Sequence, residues 1–556
     1  MRKLILALII ILAMPAASFA KGGVVSAADP RAASAGQEIL RKGGSAADAA
    51  MAMMLALTVV EPQSSGIGGG GFLLHHDARR NSLQTIDGRE IAPRSATPDM
   101  FMEGGQPIPF MRAVPGGRSV GIPGNIALMA ETHRRWGKLR WSALFQPAIR
   151  LAEAGFLVTP ALEKRLAQME KLWADFPEAR AIYWQDGRPK RTGELVKNPA
   201  LARLLRLVAR RGADAFYTGQ NGQAIRDAVG QSPRNPSVIT SADLAAYRPR
   251  DRAPVCARYR VYKICGMGPP SSGAFAVLQI LGLLERFDLK ALGKDNPLSW
   301  HLIGEAMQLA YADREKYLAD PDFVSVPLMG LLDPRYLAQR SALISETTSL
   351  PHYLAGSPAG AQARTEGVSS EVAGTTHFIA IDGKGDIVSM TSTIEGPFGS
   401  QLIANGYFLN NELTDFTFWP EKDGAPVANR VAPGKRPLSS MSPTIVYDAA
   451  GRPIFVVGAA GGKRIIMQVV KTLIAHLDWG LSADQAIGAA NIFFAGDALT
   501  IEAGTPIAAK SADLARFGQM VLVNDGMPAK ANAAEWTSAG WRGAADPRSE
   551  GVALSE

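Results

Sequence analysis

Cysteine is nearly absent: Cys256 and Cys265 are the only two in 556 residues. That number excludes a cysteine-built metal centre and a multi-disulfide scaffold. Histidine is also sparse, and the seven present do not fall at metal-ligand spacing, so no metal is expected. No block of like charge occurs, which excludes an acidic tail or a basic arm. The net charge of +8 is scattered. Arg203, Arg206, Arg210 and Arg211 recur at helical spacing on what reads as a solvated face, without the interleaved aromatics that stack bases, so no nucleic-acid partner is expected. Beyond the first twenty residues, no apolar run is long enough to span a membrane without meeting a charge.

Those first twenty residues differ from the rest. Arg2 and Lys3 precede an apolar run from Leu4 to Met14, and Ser18-Phe19-Ala20 is a small-x-small cleavage site. The pattern predicts a cleaved signal peptide over residues 1–20 rather than an anchor, and a mature protein that is periplasmic or secreted. An exported chain is permitted a disulfide. Pro254 to Met267 reads as a hairpin in which the two cysteines would face each other; a bonded pair and two buried thiols both remain open.

Pro30 to Gly44 predicts a helix. A second begins at Ser45, where Ser45-Ala46-Ala47-Asp48 fits a capping box ahead of the apolar run Ala49–Val60. The run Gly66-Ile67-Gly68-Gly69-Gly70-Gly71 matches the dinucleotide pattern GxGxxG, but a helix precedes it and the strand Phe72–His76 follows. That order is the reverse of what the fingerprint needs, so the glycines imply close backbone approach. Gly121 to Asp320 is mostly helical, with apolar residues at helical spacing in Ala274–Phe287 and Ser299–Leu318. Leu354 to Gly374 has linker composition. At Thr375 the pattern turns to strand: Thr375–Ile381 and Ile387–Ser392 form a hairpin across Asp382-Gly383-Lys384-Gly385. Further strands are expected at Thr444–Tyr447 and Ile454–Val457, and helices at about Arg464–His476 and Ala483–Ala490.

Several motifs stand out in order: Glu61-Pro62 with the glycine run; Asp87-Gly88-Arg89-Glu90-Ile91-Ala92-Pro93; Pro269-Pro270-Ser271-Ser272-Gly273; Gly374-Thr375-Thr376-His377; Leu409-Asn410-Asn411-Glu412 with Asp415-Phe416; Lys435 to Thr444; Gly461-Gly462; and Ala545-Asp546-Pro547-Arg548. Together they resemble the γ-glutamyltranspeptidases over nearly all of the mature chain. The resemblance implies an α+β fold, the four-layer αββα sandwich of N-terminal nucleophile hydrolases. It also implies one chain cut between Gly374 and Thr375 into a large subunit (21–374) and a small catalytic subunit (375–556), which stay together as a heterodimer with strands from both.

The activity so implied is hydrolysis or transfer of γ-glutamyl groups from glutathione-like donors to water, amino acids or peptides, without a cofactor. Thr375 would be the nucleophile, and its freed α-amine the base that an uncut amide cannot supply. Thr393 matches the family threonine that positions the nucleophile. The N–H groups of Gly461 and Gly462 match the oxyanion hole, although Gly458-Ala459-Ala460 stands where the family usually has Gly-Ser-Pro. Arg89, with Ser439 and Ser440, would hold the donor's α-carboxylate. Glu412 and Asp415 would hold its α-ammonium, and Glu395 stands where many members have asparagine. Thr417 to Pro433 corresponds to a lid, short here and without the family's lid tyrosine; Trp419 is the nearest bulky aromatic. Asn491–Ala508 departs from the family pattern. The alternatives are a glutaryl or cephalosporin acylase of the same family and an uncleaved, inactive relative. Retention of Asp415 favours γ-glutamyl donors over the first.

Overall fold

The computed structural model describes residues 22–367, 374–495, 498–526 and 529–556; the expected signal peptide lies outside them. In chain order the strands of the two main sheets are β1 (Val24–Ala27), β2 (Gly70–Asp77), β3 (Ser82–Gly88), β4 (Arg250–Arg252), β5 (Val255–Tyr259), β6 (Tyr262–Gly266), β7 (Thr376–Ile381), β8 (Ile387–Thr393), β9 (Thr444–Tyr447), β10 (Pro453–Ala460), β11 (Lys530–Thr537), β12 (Gly540–Ala545) and β13 (Val552–Ser555). One sheet runs β4-β3-β2-β8-β7-β1-β13 and the other β5-β6-β9-β10-β11-β12. All of these pairings are antiparallel.

The alternation after Thr375 builds a strand buried on both faces. Phe378 and Ala380 join one core, with Val388 and Met390 of β8. Ile379 and Ile381 join another, shared with Ile445, Val456 and Val457 of the second sheet. The period of two therefore sorts side chains between two cores instead of between core and water. Helices α1 (Pro30–Arg41) and α2 (Ala46–Val60) pack outside the first sheet, and α3 (Gly273–Leu284) and α5 (Arg464–Leu477) outside the second, with α4 (Pro297–Tyr317) against α3. This is the four-layer αββα sandwich. Helix α2 is apolar all round and buried at all fifteen positions, as a helix between layers must be. Ser45 and Asp48 form the expected capping box.

Residues 121–320 are mostly helical, as expected. Strand β1 went unread because four residues, Val-Val-Ser-Ala, carry no period, yet it lies inside the sheet between β7 and the edge strand β13. Carboxy-terminal β11 to β13 were likewise not anticipated. Cys256 and Cys265 face each other across β5 and β6 and are bonded. Among the described residues, no helix is long and apolar enough to cross a membrane.

Candidate active site

The hairpin register assembles the site. Thr376 pairs with Ser392, which places Thr375, just before β7, opposite Thr393 at the end of β8. Their hydroxyl oxygens lie 2.9 Å apart. The Thr393 hydroxyl also accepts the Glu395 N–H at 2.8 Å, fixing its direction. Room for this comes from the glycine run: a Cβ on Gly69 would stand 1.9 Å from the Thr393 carbonyl oxygen. The run is a close approach, as expected, and no phosphate cradle.

The junction itself is strained. Thr375 has φ +74°, costly for a β-branched residue. Its N–H donates to the Ser64 carbonyl at 2.9 Å. Gly374 packs so closely that a Cβ would stand 1.9 Å from the Glu395 carbonyl oxygen. Neighbouring His377 is not placed as a base. Its Nδ1 lies 2.9 Å from the Thr391 hydroxyl, its ring abuts Gly458 of the second sheet, and burial pushes it down to about 3.

Thr375, Thr393, Arg89, Glu395, Glu412, Asp415, Ser439, Ser440 and Gly462 line one small cleft, with Met441 and Ile465. Gly461 lies beside them in the turn from β10 to α5, where Gly461 and Gly462 have φ +134° and +61°. The turn thus sets backbone N–H groups and the positive end of a fourteen-residue helix at the cleft. The replaced Ala459-Ala460 remains in β10, so the turn keeps both glycines in place.

Arg89 follows β3 and is 1% exposed. Its Nη1 donates to Glu412 and its Nη2 to Asp415 at 2.5 Å, while Nε and Nη2 also donate to the Pro437 and Leu438 carbonyls at 3.1 and 2.7 Å. Burial opposes its charge, but Glu412 and Asp415 more than offset that and hold it above its ordinary value. Glu90 and Glu412 are buried on the same cation. Burial pushes both carboxyls up, Glu90 to about 7, and their mutual repulsion adds to the rise in Glu412. Expected cation and expected anions therefore lie side by side.

The Ser439 hydroxyl accepts the Met441 N–H at 3.2 Å, and the Ser440 hydroxyl accepts from Arg314 Nη2 at 2.9 Å. Asn411 Nδ2 donates to Glu395 Oε2 at 2.5 Å, and its Oδ1 accepts the Gly396 N–H at 2.9 Å. Asn429 donates to the Asp415 carbonyl at 2.7 Å and accepts the Leu438 N–H at 3.0 Å, tying the lid segment to both walls. The lid is a small hairpin, Glu421–Lys422 against Ala425–Pro426. Trp419 is half exposed, whereas Phe418 stacks on Phe101. Sequence reading missed Met441, Ile465, Arg314 and Asn429. Arg314 is one of four consecutive charged residues, Asp313 to Lys316, near the end of α4, so no local signal set it apart.

The profile described as Gamma-glutamyltranspeptidase matches residues 32–555. The chain belongs to the γ-glutamyltranspeptidase family. A "Glutathione hydrolase proenzyme" of Bacillus subtilis strain 168 is 38% identical over 428 residues, 75% of this chain and 71% of the relative. The "Acylase ACY 1 proenzyme" of Pseudomonas sp. strain SE83 is 35% identical over 444 residues, 78% and 76% of the two chains. Among solved structures, a cephalosporin acylase from Bacillus halodurans superposes with a TM-score of 0.85 at 27% identity, covering 96% of each chain. As a member of the γ-glutamyltranspeptidase family, the chain is an enzyme with the N-terminal nucleophile hydrolase fold.

Proposed function

We propose that this family member is an autoprocessing γ-glutamyl hydrolase and transpeptidase, with Thr375 as nucleophile. The observation that carries the donor assignment is Arg89 flanked by Glu412 and Asp415 in the Thr375 cleft. An α-amino acid carries one carboxylate and one ammonium on the same carbon. It can replace each internal contact of that trio with one of its own: carboxylate on Arg89, with Ser439 and Ser440, and ammonium on Glu412 and Asp415.

In the precursor, the Thr375 hydroxyl attacks the Gly374 carbonyl. The peptide nitrogen leaves as an amine, and water hydrolyses the resulting ester, giving subunits 21–374 and 375–556 that remain a heterodimer. The strained Thr375 backbone favours that step. The new α-amine then takes the hydroxyl proton as Thr375 Oγ attacks the donor's γ-carbonyl. The N–H groups of Gly461 and Gly462 stabilise the oxyanion. The amine returns the proton to the leaving nitrogen, and water or an acceptor amine releases the γ-glutamyl ester. A cleaved signal, outside the described residues, would deliver the enzyme to the periplasm or medium. The short lid suits donors larger than glutathione.

Two measurements test this. Thr375→Ala should leave a single chain on a denaturing gel; normal splitting would remove Thr375 from the mechanism. Split wild-type enzyme should hydrolyse γ-glutamyl-anilide faster than glutaryl-anilide. The reverse preference would place it with the acylases.

A further inference from the structure

Close to Thr375 lies a largely buried ion pair, Glu61–Lys530, that the reaction as described leaves unused. Glu61 ends α2 and Lys530 begins β11, far apart in sequence and from different subunits of the processed enzyme. Lys530 Nζ donates to both Glu61 oxygens, at 2.9 and 3.2 Å, and to the Ser64 hydroxyl at 3.1 Å. The Ser64 carbonyl accepts the Thr375 N–H at 2.9 Å. The Glu61 carboxyl also has Thr376 among its neighbours. The Lys530 backbone N–H donates to Gln468 Oε1 at 3.0 Å, and Gln468 Nε2 donates to the Ala460 carbonyl at 2.8 Å, next to the oxyanion glycines. One lysine therefore links the support of the Thr375 nitrogen to the turn that faces it.

Cutting the chain turns that nitrogen from an amide into an amine, which must be neutral to act as a base. A reference α-amine titrates near 8, and an unpaired carboxylate beside it would hold it as ammonium. Glu61, linked to that nitrogen through Lys530 and Ser64, would be such a carboxylate if Lys530 were removed. Burial pushes its carboxyl up, Lys530 opposes that rise, and the charge of Asp29 adds to it. On the cleft side Glu412 and Asp415 are paired with Arg89, and Glu395 accepts from Asn411 Nδ2. Lys530 is thus the cation that engages Glu61 beside the junction, and both its carboxylate oxygens are taken by it.

We propose that Lys530 is a positioning residue that keeps the freed Thr375 α-amine in its basic form, by holding Glu61 in an ion pair away from it. The inference rests on Thr375 being the nucleophile. It assigns Lys530 and Glu61 opposite effects on the same proton, which a purely structural staple would not have.

The test is the acid limb of the kcat–pH profile on enzyme confirmed as split, with γ-glutamyl-anilide as substrate. Lys530→Met should move the limb to higher pH by about one unit, a roughly tenfold loss at pH 6 with little loss at pH 9. Glu61→Gln, nearly the same shape, should move it to lower pH. The double variant should return toward wild type, and Lys530→Arg should stay there. Limbs unchanged in both active single variants, or a double variant that fails to restore, would overturn the proposal while leaving the Thr375 mechanism intact. If Lys530→Met is not cut, the Glu61→Gln profile decides alone: a wild-type limb rejects the idea. Splitting of Thr375→Ala would instead remove the reading beneath it.

Discussion

At the scale of residues, three buried carboxyls share one guanidinium. Arg89 balances at most one of Glu90, Glu412 and Asp415, and burial penalises the charges left over. On the proposed reading Asp415 would give this arrangement its specificity, because a donor without an α-ammonium has nothing to offer it. Asp415→Asn should lower kcat/KM for γ-glutamyl-anilide by roughly tenfold to a hundredfold, the range of a hydrogen bond to a charged group, and should lower glutaryl-anilide turnover far less. Equal losses on the two anilides would make Asp415 structural. Glu90 yields a prediction about stability. Its carboxyl is raised from 4.5 to about 7 in the fold. Above pH 4.5 the unfolded chain has released a proton that the folded one still holds, so this group's contribution falls as pH rises toward 7. Glu90→Gln should flatten that segment of a urea-midpoint-against-pH curve. An unchanged slope would mean that Glu90 is ionised in the empty site.

At the scale of elements, the site stands where four segment ends meet: the start of β7, the end of β8, the residue after β3 and the turn before α5. Sequence reading recovered β7, β8 and the turn before α5 closely, since hairpin alternation and glycine turns are local signals, but it did not anticipate β3. It predicted Ile387–Ser392 where β8 is Ile387–Thr393, and a helix from Arg464 where α5 begins. Of the residues assigned through the family motifs, Arg89, Thr375, Thr393, Glu395, Glu412, Asp415, Ser439, Ser440 and Gly462 line one cleft. What escaped sequence reading depends on contacts between distant segments. Strand β1 has no period to read and is held by β7 and β13. Arg314 reaches Ser440 only because α4 packs on α3, and Asn429 matters only once the lid folds back between Asp415 and Leu438. Gly374 belongs with these. Its identity reads as linker composition, yet the structure gives it a steric reason in the Glu395 carbonyl. Gly374→Ala should therefore displace the scissile carbonyl and slow splitting, so that precursor accumulates on a time-resolved denaturing gel. Cutting at the wild-type rate would show that the junction tolerates a Cβ.

At the scale of the molecule, the proposed cut does not separate two bodies. Strands β7 and β8 of the small subunit are inserted between β1 and β2 of the large one, and β6 of the large subunit pairs with β9 of the small. Both cores draw on both sides of the junction, with Leu55 beside Phe378 in one and Phe275 beside Val457 in the other. Separating the subunits would expose two sheet faces and several unpaired strand edges at once, a loss that no single contact could offset. Cleavage should therefore change the chemistry at Thr375 while leaving the fold cooperative. The split enzyme should elute as one species in gel filtration and lose its tryptophan signal and activity in a single urea transition. A 375–556 fragment expressed alone should not reach the soluble, folded state. Two resolved transitions, or a folded lone fragment, would mean that the junction is a domain boundary after all and that the interleaved sheets contribute little to holding the halves together.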